Sequence, residues 1–301
     1  MNEISILRPI AGDMPGLYSI WTTVFGDSGV DAFFTSYAGE YICVAAITDG
    51  APVTAGYLIP HGNLISGSQT APCAMIYSVA TLPEYRSLGL GAAVVGELIS
   101  AGRDMGYEAI VLCPSDDSLF AYYSACAGFN DWFYVDESVA AIPEFLTGSS
   151  RPYSVGPDEY RLLREGFLGE TPHIKLSSHA LIYQDHLCRE YGGGFFRIAS
   201  PDGVCCAIVE KQQDGAVRVN ELLGTESSGS AISKSTALSS IASLFPADSY
   251  TVRTPALSSG TQALSSIPHG VRRFGMLTAF ERDFGQKCDK NKAPWYGPAF
   301  D

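Results

Sequence analysis

Apolar and polar side chains alternate over residues 4–10 and the run meets Pro9, which predicts a first β-strand. Asp13 then stands as N-cap candidate for a helix over 14–25, where Leu17, Ile20, Trp21 and Val24 recur at helical spacing. A second, short helix is expected over 30–37. Strands follow over 41–47, 53–60 and 74–81, the first two joined by the hairpin signal Asp49-Gly50. Beyond a turn, a helix spans 89–105 and ends at Gly106. The run Ala109-Ile110-Val111-Leu112-Cys113 has the continuous apolar character of a strand buried on both faces. A helix over 118–127 ends at Gly128, and strands over 129–135 and from 139 onward close a first domain of residues 1–145.

A Pro/Gly/Ser-rich stretch over 143–157 follows, and residues 146–157 are expected to be a linker. The remaining residues, 158–301, repeat the order of the first half. Helices are expected over 157–167 and 178–191, then strands over 195–199, 204–210 and 217–223, with Gln213-Asp214-Gly215 as the turn between the last two. A serine-rich but periodic helix carries Ile232, Leu238, Ile241, Leu244 and Phe245, and a strand over 250–253 succeeds it. Together the patterns predict an α/β protein (α+β, with a mixed sheet) built as a diverged internal duplication.

Composition bounds what such a fold can serve. At 301 residues with 46% hydrophobic content, the chain is long enough for two domains with real cores. Its net charge of −13 argues against a nucleic-acid partner and against docking to anionic membranes, both of which need clustered Lys and Arg. The same charge suits a cationic acceptor, and equally suits plain solubility. No run approaches a membrane span, and the N-terminus lacks a signal-peptide pattern, so a cytoplasmic protein is expected. The 8 cysteines form no C-x-x-C pair and are expected to be reduced and mostly buried. Five scattered histidines give no metal-ligand spacing, so no metal is expected, and His173, His179 and His186 are expected to be solvated.

The chemistry gathers in Tyr77-Ser78-Val79-Ala80-Thr81-Leu82-Pro83-Glu84-Tyr85-Arg86-Ser87-Leu88-Gly89-Leu90-Gly91. A strand ends, and Arg86-x-x-Gly89-x-Gly91 opens a helix. Free N–H groups at the helix start, close backbone approach at the glycines and the helix dipole make an anion site suited to a pyrophosphate. Arg86 adds a fixed cation with fork geometry. The spacing is neither the dinucleotide fingerprint nor a P-loop.

The segment V-A-T-x-P-x-Y-R-S-x-G-x-G, its helix, the buried strand and the ending Tyr123-Ser124-Ala125-Cys126-Ala127-Gly128-Phe129 resemble the GNAT N-acetyltransferase superfamily over residues 3–137. The repeated second half and the ending Ala293-Pro294-Trp295-Tyr296-Gly297-Pro298-Ala299-Phe300-Asp301 are similar to two-domain bacterial members related to the enhanced-intracellular-survival acetyltransferases. The resemblance implies a tandem GNAT-like fold with a degenerate second copy, and acetyl-coenzyme A as cofactor. It places the pyrophosphate on the backbone of Ser87, Leu88, Gly89, Leu90, Gly91 and Ala92. It lays pantetheine along Val79, Ala80 and Thr81, with the Val79 N–H polarising the thioester carbonyl.

The resemblance also implies a tyrosine on the last helix that protonates the departing thiolate. Tyr123 is the better candidate and Tyr122 the alternative, for Ser124 stands at the usual position. The base is less marked. Glu40, Asp116 and Asp117 are available, and the related two-domain enzymes imply the terminal carboxylate, here that of Asp301. In the second half, Leu223-Gly224-Thr225-Glu226-Ser227-Ser228-Gly229-Ser230 lacks the arginine, so that half is expected to shape the acceptor pocket or a homo-oligomer interface. The reading is an N-acetyltransferase whose acceptor is a primary amine of a small molecule. Protein or peptide N-acetylation and a non-catalytic acyl-CoA-binding module are the alternatives.

Overall fold

The computed structural model describes residues 4–141, 150–201, 203–225, 232–256, 270–280, 284 and 293–300. The chain divides into two compact units, the first comprising residues 1–64, 70–132 and 275–284, the second 65–69, 133–274 and 285–301. No single cut separates them, because each includes a segment from the other half of the sequence.

The first unit holds β1 (Ile4–Leu7), α1 (Met14–Phe25), α2 (Val30–Ser36), β2 (Ile42–Thr48), β3 (Ala51–Ser66), β4 (Gln69–Thr81), α3 (Leu90–Asp104), β5 (Ala109–Leu112) and α4 (Asp117–Ala127). Its strands run in the order β1-β2-β3-β4-β5, and residues 276–279 pair antiparallel with β5. The periodicity of α1 buries Leu17, Ile20 and Trp21. Asp13 holds the N-cap position of that helix, but its carboxylate makes no cap bond there; it accepts the Ile10 N–H at 2.8 Å and closes the turn ahead. Asp49 and Gly50 both adopt positive φ, 51° and 76°, which is the backbone a tight hairpin needs. The crossover through α3 brings β5 parallel to β4, and Val94, Val95 and Leu98 of α3 pack on Ala74, Ile76 and Ile110.

The second unit holds β6 (Asn130–Ala141), β7 (Arg151–Val155), α5 (Pro157–Leu168), β8 (His173–Leu176), α6 (Ser178–Glu190), β9 (Gly194–Ser200), β10 (Gly203–Lys211), β11 (Val217–Leu223), α7 (Lys234–Leu244), β12 (Ser249–Pro255) and part of β13 (Val271–Ala279). Its strands run β6-β12-β11-β10-β9-β7. The order α5-α6-β9-β10-β11-α7-β12 repeats that of the first unit, including a parallel pair (β11 with β12) after three antiparallel strands. Two expectations change here. Residues 129–135 and 139 onward are not a strand pair: β6 is one strand, in continuous register with β12 from Val135 to Ala141. Of the stretch read as a linker, residues 151–155 form β7 against β9, and residues 142–149 lie outside the described residues.

A buried charge network joins α5, β11 and the tail of the second unit. Arg164 donates through Nε to both oxygens of Glu221, at 3.1 and 3.0 Å, and through Nη1 to the Ile174 carbonyl at 2.7 Å. Tyr160 and the Trp295 indole also donate to Glu221, at 2.7 and 2.5 Å. His173, expected in solvent, is buried: one ring nitrogen lies 3.2 Å from Glu165 and the other 2.6 Å from the Thr171 carbonyl. His186 is exposed as expected, and His179 is half-buried.

Candidate active site

Pairing of β4 with β5 is confined to Cys73–Met75 against Ala109–Val111, and β4 runs on to Thr81 without that neighbour. Within this extension Ser78 adopts φ 50°, a left-handed conformation that a serine inside a strand takes at a cost of about 1 kcal/mol or more. Such strain persists where surrounding structure holds it, and functional sites are where it collects. The neighbouring side chains are committed to packing. Val79 lies among Gly56, Val94 and Leu98, Ala80 is buried against Leu17 and Ile20, and Thr81 accepts the Thr54 hydroxyl at 3.1 Å. What Val79, Ala80 and Thr81 leave to a ligand is therefore their main chain along one open edge, the arrangement that takes up an extended partner as an added strand.

The turn after β4 leads into α3 through two left-handed residues, Ser87 at φ 62° and Gly89 at φ 78°. The helix closes its first backbone bond from Ala93 N–H to the Gly89 carbonyl at 3.1 Å. Leu90, Gly91 and Ala92 consequently carry first-turn N–H groups that a helix cannot satisfy internally. Their dipole end is positive, so the turn attracts an anion. Exposed Ser87, Leu88 and Gly89 leave the approach open. Arg86 folds back and donates through Nε to the Thr81 carbonyl at 3.2 Å, which ties the cation to the strand that leads into the turn.

Both tyrosines of α4 are near, and the helix separates their roles. A β-carbon placed on Gly91 would lie 3.0 Å from the Tyr122 hydroxyl and 3.9 Å from that of Thr81. Tyr122 is thus the α4 hydroxyl that reaches the turn. Tyr123 packs inward, its ring 5.1 Å from that of Tyr122 and 6.4 Å from that of Phe129, on the core with Phe120 and Leu90. Burial first, and then Tyr122, push the Tyr123 hydroxyl well above the ordinary tyrosine range. The sequence did hold the signal: Phe120, Tyr123 and Ala127 recur at i, i+3 and i+7, the spacing of a core-facing stripe, and Tyr122 falls off it.

The candidate bases fare unequally. Asp116 is the N-cap of α4: its carboxylate accepts the Ser118 hydroxyl and the Ser118 N–H, and these bonds hold it below the usual carboxylate range. Glu40 and Asp117 are exposed. Asp301 and the turn residues Glu226 to Ser230 lie outside the described residues. Among the described residues no three His, Cys, Asp or Glu side chains gather as a metal site, and no helix is long and apolar enough to cross a membrane.

Comparison with known proteins agrees with this geometry. Residues 14–129 match the acetyltransferase (GNAT) family model. No curated protein matches the sequence. Among solved structures, a probable N-acyltransferase from Enterococcus faecalis superposes with a TM-score of 0.68 at 14% identity, over 93% of this chain and 73% of that one. Eis1 from Mycobacterium abscessus superposes with a TM-score of 0.57 at 13% identity, over 93% and 74%. A tandem GNAT protein from the clavulanic acid biosynthesis pathway gives 0.56 at 12% identity, over 93% and 100%. At such identities the likeness shows the fold alone. Residues 14–129 are thus similar to the acetyltransferase (GNAT) family, within a fold shared with a tandem GNAT protein.

Proposed function

We propose that the protein transfers the acetyl group of acetyl-coenzyme A to the primary amine of a small molecule, by direct attack of the neutral amine. The observation that carries this reading is the donor-lined turn at the start of α3, set at the end of a β4 edge that has no β5 partner. The turn fits a diphosphate: Ser87 and Gly89 are left-handed, and the bare Gly91 lets an anion come close to the first-turn N–H groups. Residues 87–92 would hold the diphosphate with Arg86 as counter-charge, and the main chain of Val79, Ala80 and Thr81 would pair with the pantetheine amides. When bound, acetyl-coenzyme A supplies an acetyl group activated as a thioester.

The chain's own groups then have definite work. The Val79 N–H, just past the strained Ser78, is the donor assigned to the carbonyl that gains negative charge. The hydroxyl assigned to protonate the leaving sulfur is Tyr122, which geometry favours over Tyr123. On the resemblance, the carboxylate of Asp301 takes the proton of the amine. Burial pushes the Cys43 thiol up to about 12 and also raises that of Cys126, which leaves both protonated and poor as nucleophiles. The reading keeps a cytoplasmic location, in which the 8 cysteines stay reduced.

Two measurements test the reading. Calorimetric titration with coenzyme A is expected to show binding that an Arg86→Glu variant weakens about 100-fold, since a charge-assisted contact is lost and a repulsion added. Unchanged affinity in the variant would overturn the assignment of the turn. In a thiol-release assay, Tyr122→Phe is expected to lower kcat about 100-fold and Tyr123→Phe less than about 10-fold, the range for loss of one proton donor. The opposite order would return the role to Tyr123. Coenzyme A binding without turnover on any amine would mark a binding module instead.

A further inference from the structure

The strand that forms the site carries one residue too many. Along β4, Ile76 and Val79 both pack on α3, with Val94 and Leu98. Tyr77 and Ala80 both face α1, the Tyr77 ring 5.8 Å from that of Trp21 and Ala80 against Leu17 and Ile20. Side chains that share a face of a strand recur every second residue, yet the members of each of these pairs are three residues apart. Ser78 is therefore an inserted residue, a bulge, and its side chain belongs to neither row. Its left-handed φ of 50° is the backbone of that insertion.

Two local penalties meet at this residue. A glycine would take the left-handed backbone freely, whereas the serine carries a Cβ there. The Ser78 hydroxyl oxygen is also buried, and among the described residues it has no hydrogen-bond partner. A buried hydroxyl left so destabilises the free chain, and a ligand that completes it recovers that loss on binding. Covalent geometry supplies the location. Four bonds separate the Ser78 oxygen from the Val79 nitrogen, which keeps the two atoms within about 5 Å of each other. A carbonyl oxygen held by the Val79 N–H is consequently in reach of the hydroxyl once χ1 turns, a rotation that leaves the backbone in place. Tyr77, Ser78 and Val79 are all half-buried, so a ligand reaches this stretch while water is kept from the hydroxyl itself. A donor shielded in that way meets developing negative charge in a low dielectric, where its effect is largest.

We propose that Ser78 is a further catalytic residue of the transfer, its hydroxyl a second donor, beside the Val79 N–H, to the thioester carbonyl oxygen as that oxygen gains charge. The assignment rests on the acetyl-transfer reading above and adds a side chain to it. It asks only a hydrogen bond of the serine, with no covalent bond made or broken and no proton given up. Two variants test it. Ser78→Ala removes the hydroxyl and keeps a Cβ on the left-handed backbone, whereas Ser78→Gly removes both and should hold or raise the Tm. Both are expected to lower kcat for thiol release about 100-fold, the loss of one such donor, with the Kd of coenzyme A, which lacks the acetyl carbonyl, unchanged. The infrared carbonyl stretch of bound acetyl-coenzyme A, isotope-labelled at its carbonyl carbon, should move to higher frequency in both variants. A serine that served only the backbone would leave that stretch where it is. A Ser78→Gly protein with parental kcat, or a stretch at the parental frequency in the variants, overturns the assignment. A parent protein that binds coenzyme A but turns over no amine overturns acetyl transfer, while the carbonyl stretch still decides for or against Ser78. Failure of coenzyme A to bind overturns both.

Discussion

An Arg164→Met variant is expected to lose about 3–5 kcal/mol of stability, the cost of leaving a buried charge without its partner. Glu221 is fully buried and would retain the Tyr160 and Trp295 donors but no guanidinium. The same arginine satisfies the Ile174 carbonyl, which would also lose that donor. Thermal unfolding should show the loss as a drop of about 10 °C in Tm. The effect has a direction in space as well. Trp295 pairs its backbone with Pro172 and Ile174 and sends its indole to Glu221, so amide exchange should accelerate at residues 295–297 before it does in β9 and β10. A double variant, Arg164→Met with Glu221→Gln, removes both charges, while the introduced amide oxygen can accept from the Trp295 indole and the amide N–H can donate to the Tyr160 hydroxyl oxygen. It should recover most of the loss, because a buried ion pair contributes little beyond the penalty of breaking it on one side. A double variant no more stable than Arg164→Met alone would show that the network matters for shape rather than charge.

That network also marks where a sequence stops being readable. Arg164 and Glu221 are 57 positions apart and carry no local signature, so nothing in either half announces the pair. The burial of His173 is hidden for the same reason: its partner Glu165 sits on α5 and the turn at Thr171 brings the ring back to it. Elements with strong period were legible. The helix over 14–25 and the strand over 217–223 form with those bounds, since local pattern and tertiary burial agree there. The strands left unread were those whose pattern is short or broken. β8 is four residues between two helices, and in β13 the pair Arg272-Arg273 and Gly275 interrupt the apolar run. β13 exists because β5 offers it an edge, a long-range fact. At the site, the phosphate turn was legible because its logic is local: strand, glycines, helix start. The strain at Ser78 was not, because a serine gives no warning of a left-handed backbone.

A Gly91→Val variant is expected to bind coenzyme A about 1000-fold more weakly while folding as well as the parent. The two roles of this one glycine pull in opposite directions. Inside a helix, glycine is a poor residue and valine a better one, so α3 should form at least as readily. The site responds in the opposite way. A β-carbon at this position already comes to 3.0 Å of the Tyr122 hydroxyl, and two further methyl groups would fill the space above the first-turn N–H groups of Leu90, Gly91 and Ala92. A diphosphate held off those donors forfeits two or three charge-assisted hydrogen bonds, at roughly 1.5–3 kcal/mol each, which gives the thousand-fold figure. Gly96 supplies the control on the same helix. Nothing lies within 4 Å of a β-carbon there, so Gly96→Ala should raise stability and leave affinity unchanged. If Gly91→Val bound coenzyme A within about 10-fold of the parent, the anion would have to lie elsewhere than on the start of α3, and the roles given to Arg86 and Tyr122 would fall with it.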